Sequence, residues 1–305
     1  MEQVQLGASG LSVTRFVAGA AIAPVTVATG VDLLNEAWEA GVRALDVRDA
    51  TAEADTAAAT WLAERQPEGA LVIAGVGAAA GPARESDLSP QRLEHDLAAA
   101  IRRLGRVDLA WLRGADDETP LEASLTPLAD AVERGALLGW GAAGVDVRQL
   151  EALLVAAERA GLPGPRFVRN RMNALELRDE RDLLPLATGE GLGVLAHAPF
   201  AGGRLTGRHV EAEVAAEEAA AAGEPRGDDA DPALPRLLVL RDLARERDVS
   251  VEGLALAWLA GHPAVTAPIV APRAAAEWDA MHEAVGIDLA ADERERLDDL
   301  LGARS

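Results

Sequence analysis

Gly193-Val194-Leu195-Ala196-His197-Ala198-Pro199-Phe200-Ala201-Gly202-Gly203-Arg204-Leu205-Thr206-Gly207 packs a short apolar run, a proline break and a glycine-rich turn into one segment. Gly193–Ala196 reads as a strand and the glycines after it as a loop. Working outward, the same alternation recurs along the chain. Strands are predicted at Arg15–Ala18, Arg43–Val47, Leu71–Val76, Val107–Leu112, Leu138–Gly141, Arg166–Asn170, Gly193–Ala196 and Ala267–Val270. Helical patterns lie between them at Val31–Ala40, Ala54–Glu64, Pro90–Leu104, Leu121–Arg134, Val147–Ala160, Glu180–Thr188, Leu234–Arg247 and Val251–Ala260. Two more follow at Ala274–Ala284 and Asp292–Leu301. Ser89-Pro90 reads as N-cap and first helical residue, and Gly135 and Gly161 as helix stops. Eight strand–helix repeats predict an α/β fold, a single (β/α)8 TIM barrel over 1–305. An open doubly wound sheet is disfavoured because no G-x-G-x-x-G follows the first strand. The acidic, alanine-rich segment 208–233 reads as a mobile loop after the seventh strand, on the face where such barrels work.

Composition narrows the function. The 305 residues carry a formal charge of −21, which argues against nucleic acid and anionic membrane partners. There is no cysteine, so disulfide, thiolate and cysteine–metal chemistry are excluded. The first residues show no signal-peptide pattern and no apolar run reaches membrane-spanning length, so a cytoplasmic location is expected. His95, His209, His262 and His282 make no metal-ligand spacing with acidic residues, and no metal site is expected. Most tryptophans read as packing residues, while Trp111 could face either the barrel interior or the helices. Tyrosine and lysine are both absent, and all 29 basic residues are arginine.

Leu6-Gly7-Ala8-Ser9-Gly10-Leu11-Ser12-Val13-Thr14-Arg15, Ala44-Leu45-Asp46-Val47-Arg48-Asp49 and the Gly193–Gly207 stretch occur in the order seen in one enzyme family. With them the chain resembles an aldo-keto reductase, from opening β-hairpin to extra C-terminal helices. That resemblance implies NADPH hydride transfer to a carbonyl, with a Tyr proton donor tuned by a Lys and an Asp, and a His orienting the carbonyl. Asp46 matches the Asp. The Tyr position falls on Thr51, the Lys near Val76 and the His on Arg113. A threonine hydroxyl holds its proton too tightly to replace a phenol, and Arg113 cannot release one near neutral pH. The nicotinamide anchors fall on Ala143, Gly144 and Arg169, and the ring-stacking Tyr on His197. The phosphate end is better kept: Gly202, Gly203, Leu205 and Gly207 preserve the pyrophosphate loop, and Arg273 the 2′-phosphate contact, with Ala274 at the usual Ser. Glu277 and Met281 fall near the family's Gln and Asn.

Groups at the predicted strand ends supply other chemistry. Asp46, His197 and Arg113 are the candidate catalytic set, and Arg48, Arg169 and Arg171 a clamp for an anionic small-molecule substrate. Asp46 could serve as base and His197 as acid. The plain alternatives are that Arg113 pairs structurally with Asp46, that His197 only fills a Tyr-shaped space, that Asp49 is a solvated loop carboxylate, and that Arg48 and Arg171 point outward. Three functions follow from these groups. One is a non-redox acid/base step such as dehydration, isomerisation, cyclisation or C–C cleavage. The second is an NADPH-dependent reduction of an already activated carbonyl or iminium. The third is a non-catalytic binding or regulatory subunit.

Overall fold

The computed structural model describes residues 1–20, 26–47, 52–77, 87–113, 118–177, 179, 181–221, 233–272 and 276–302. A two-stranded antiparallel hairpin, β1 (Gln3–Gln5) and β2 (Ser12–Thr14), opens the chain. Eight parallel strands then close a barrel: β3 (Val17–Gly19), β4 (Ala44–Val47), β5 (Leu71–Val76), β6 (Leu109–Arg113), β7 (Gly139–Ala143), β8 (Phe167–Arg171), β9 (Gly193–His197) and β10 (Ala267–Val270). The helices that cover it are α1 (Val27–Glu39), α2 (Ala52–Arg65), α3 (Pro90–Leu104), α4 (Leu121–Glu133), α5 (Val147–Ala160), α6 (Leu183–Gly189), α7 (Gly207–Ala221), α8 (Leu234–Glu246), α9 (Val251–Ala260), α10 (Ala276–Gly286) and α11 (Ala291–Leu301).

Strand side chains alternate between two cores because the strand repeat is two residues. On β5, Val72, Ala74 and Val76 pack outward under the helices, while Ile73 points into the barrel. On β6, Ala110 and Leu112 face outward, and Leu109 and Trp111 inward. Trp111 therefore belongs to the interior. Its ring needs Gly75 on the next strand, where an added Cβ would lie 2.5 Å from the indole. The apolar character of both strand faces is what a fully covered parallel sheet requires.

Several boundaries shift toward the C-terminal ends of strands. The fifth barrel strand runs to Ala143 and the sixth to Arg171, so Arg171 belongs to β8. The predicted mobile loop over 208–233 is corrected over its first part. Alanine and glutamate favour helix, and Gly207–Ala221 forms α7, whose first amide donates to Glu252 Oε1 at 2.8 Å. The remainder, 222–232, lies outside the described residues. No helix among the described residues is long and apolar enough to cross a membrane.

Candidate active site

Asp46 and Arg169 form the centre of the site. They stand on β4 and β8, the second and sixth strands of an eight-stranded ring, and so face each other across the barrel. Arg169 spans the interior and donates to Asp46 Oδ2 from Nε at 3.0 Å and Nη2 at 2.7 Å. Trp111 Nε1 donates to Oδ1 at 3.0 Å, and the Arg169 guanidinium lies 4.8 Å from the Trp111 ring centre. The side chains of Arg169 and Asp46 are 7% and 2% exposed. Both carboxylate oxygens are engaged and the pair is electrically neutral as a unit. A buried pair satisfied this way holds its geometry, since losing either member would strand a charge.

This arrangement corrects three expectations. The partner of Asp46 is Arg169, not Arg113, which ends β6 exposed to solvent. Arg169 is therefore committed inside the barrel rather than available to a substrate anion. Asp46 is buried with both carboxylate oxygens hydrogen-bonded inside the protein, so in this arrangement it is not open to a substrate alongside His197 and Arg113. The lysine-less site still has a cation beside Asp46, delivered from the sixth strand instead of the third.

The upper rim is more open. Arg171 is half-buried and ion-paired with Glu176, so it too has a partner. His197, aligned with Arg171 across β8 and β9, is half-buried, and its carbonyl accepts from Met172 N at 3.3 Å. Ala143 is buried at the end of β7, and Gly144 follows in a left-handed turn at φ +64°. Arg48, Asp49, Thr51, Arg273 and Ala274 lie outside the described residues, as does the side chain of Glu277. Met281 is fully buried in the core. Among the described residues, no group of three His, Cys, Asp or Glu side chains could hold a metal.

The loop after β9 keeps the shape that its glycines predict. Ala201, Gly202 and Gly203 have φ of +51°, +72° and +102°. An added Cβ at Gly202 would meet nothing within 4 Å, so left-handed backbone rather than crowding selects glycine there. Leu205 is fully buried and pins the turn, and the Thr206 hydroxyl donates to Gly203 O at 2.6 Å. A left-handed turn leading into a helix start is suited to phosphate. At the ring end, Ala143, Gly144 and the committed Arg169 offer no side-chain amide. The N–H groups of Gly203, Leu205, Thr206 and Gly207 already donate to Phe200 O, Phe200 O, Gly203 O and Glu252 Oε1, so the turn keeps the glycine-dependent backbone of a phosphate loop while most of its amides are engaged within the chain, and the ring end provides little beyond His197.

Sequence reasoning missed three contributors. Trp111 as a donor to Asp46 follows from its sharing parity with inward-facing Leu109. Asn170 is buried and clamps the loop after β7 through Val145 N at 3.2 Å, Val145 O at 2.7 Å and Asp179 Oδ2 at 2.8 Å. Glu252, from α9, caps α7, and no local pattern announces it.

Comparison with known proteins agrees with the fold. Residues 7–301 match the model of the aldo/keto reductase family. A probable voltage-gated potassium channel subunit beta from Oryza sativa subsp. japonica is 26% identical over 284 residues, covering 88% of this chain and 86% of its own. The protein of the same description from Arabidopsis thaliana is 26% identical over 196 residues, 62% and 60% of the two chains. The uncharacterized oxidoreductase YrpG of Bacillus subtilis (strain 168) is 25% identical over 312 residues, 95% and 92% of the two.

Proposed function

Because this chain belongs to the aldo/keto reductase family, we propose that it is an oxidoreductase that binds NADP(H) mainly through its phosphates and reduces an acceptor needing no proton donor. The observation that carries this reading is the left-handed Ala201–Gly203 turn running into α7, set at the C-terminal end of β9 in a closed barrel. The Gly202 backbone and the nearby cations Arg204 and Arg208 would hold the phosphates, with the Glu252 carboxylate on the first amide of α7 opposing them. His197 would pack against the ring. The cofactor supplies a hydride when bound. An iminium carbon accepts it and becomes an amine directly, with no proton to be donated to oxygen. Asp46 and Arg169 neutralise each other, so the interior does not repel a cationic acceptor, and the chain's charge of −21 favours one.

Titration with NADPH and with 2′,5′-ADP tests the mode of binding. If the phosphates dominate, the two ligands bind within about fivefold of each other. Absence of NADPH binding at about 1 mM would remove the proposal. Turnover should be seen with a cyclic iminium and not with simple aldehydes; ordinary aldehyde reduction would overturn the proton-donor argument. The buried Asp46–Arg169 pair favours a second reading, a cofactor-binding subunit without turnover, in keeping with the channel-subunit descriptions of two relatives. Tight NADPH binding with no oxidation by any iminium would select it.

A further inference from the structure

Asn173 is fully buried just past the end of β8, and both its backbone and its side chain are hydrogen-bonded. Its N–H donates to Glu176 O at 3.3 Å and its carbonyl accepts from Glu176 N at 2.9 Å, which closes a tight turn. Oδ1 accepts from Leu175 N at 3.0 Å inside that turn. Nδ2 reaches out of the turn and donates to Ala198 O at 3.0 Å, on the chain leaving β9. The last backbone bond between the two strand ends is Met172 N to Leu-side neighbour His197 O at 3.3 Å, and the Asn173 amide supplies the next rung one residue further on. A serine or aspartate oxygen would close the turn equally well. Only a side-chain amide both accepts within the turn and donates onward.

What the amide holds is strained. Ala198 and Ala201 have φ of +57° and +51°, a left-handed backbone that a Cβ disfavours. Such residues persist where their surroundings over-determine them. Ala198 O accepts from Asn173 Nδ2 and also from Ala201 N at 3.0 Å, so one carbonyl takes both the bond that fixes Ala198 and the bond that starts the next turn. Beyond it, Gly203 N and Leu205 N both donate to Phe200 O, at 2.9 and 3.1 Å, and the chain runs on into α7. Immediately before it stands His197. We infer that Asn173 is the positioning residue of the candidate cofactor site: its amide keeps Ala198 left-handed and so sets both His197 and the Ala201–Gly203 turn. Asn173 is 0% exposed and acts through Ala198, not on a ligand. Its effect on binding rests on the cofactor reading; its hold on the turn does not.

Asn173→Ser in the full-length protein tests it, because a serine oxygen still accepts from the Leu175 N–H and is too short to reach Ala198 O. Residue-resolved hydrogen exchange should quicken about tenfold or more at Ala201, Gly203 and Leu205, with Leu175 and Glu176 unchanged. Binding of 2′,5′-ADP should weaken about tenfold. Adding Ala198→Gly, which takes the left-handed angle without a Cβ, should recover at least about threefold of that loss. Unchanged exchange at the Ala201–Leu205 amides, or equally quickened exchange at Leu175 and Glu176, would overturn the inference. So would a loss of affinity that Ala198→Gly does not recover. If Asn173→Ser alone does not fold, the double variant should, since its strain is relieved; failure of both to fold would reduce Asn173 to a general structural role and overturn the inference. If the parent does not bind 2′,5′-ADP, the cofactor reading falls, and the exchange pattern alone decides whether Asn173 holds the turn.

Discussion

Removing the guanidinium from the barrel interior is the most direct test of how the mouth is built. In Arg169→Met the apolar stem is kept, while Asp46 loses both bonds to Oδ2 and stays buried with Trp111 Nε1 alone. Breaking one half of a buried, hydrogen-bonded pair costs about 3–5 kcal/mol. At about 4 kcal/mol, a chain of 305 residues loses about 6 °C in Tm. Asp46→Leu should cost a similar amount, since an arginine cannot shed its charge. The double variant Asp46→Leu/Arg169→Met strands only the Trp111 N–H and should fall within about 2 kcal/mol of the parent. Urea unfolding of the four proteins gives the cycle, with an expected coupling of about 3 kcal/mol or more. Additive single effects below about 1 kcal/mol each would mean that the two side chains do not meet in a dry interior, and the reasoning would fail.

Gly75→Ala should destabilise by about 1–3 kcal/mol, read from urea unfolding, because its methyl would enter the Trp111 ring and push the indole off Asp46. Gly202→Ala should cost about 1 kcal/mol in stability from its left-handed φ of +72° and weaken 2′,5′-ADP in the same titration. Glu252→Gln removes a carboxylate bonded to the first amide of α7, so 2′,5′-ADP should bind severalfold more tightly; weaker binding would place the phosphates elsewhere. Arg247, and then the Ala290 N–H, hold the Glu293 carboxyl below the usual carboxylate range. A depressed folded pKa gives stability that is complete above the ordinary carboxylate pKa and is lost as pH falls below it. Glu293→Gln should therefore flatten the acid side of the Tm–pH curve relative to the parent.

The residues themselves announced the barrel and the lack of tyrosine and lysine. Eight strand–helix repeats follow from hydrophobic spacing, which is local and survives in one dimension. The absence of tyrosine and lysine is a matter of composition and needs no structure at all. A glycine-rich loop after the seventh barrel strand was legible too, while its left-handed backbone, which includes Ala201, came only from the structure. Which arginine meets Asp46 was not legible. Arg113, Arg169 and Arg171 all lie at or near the C-terminal ends of strands, and only closure of the ring sets the second strand opposite the sixth, bringing together residues 123 apart in sequence. Glu252 on the start of α7 was hidden for the same reason. A long side chain's partner is fixed by distances through space, and these exist only once the chain has closed on itself.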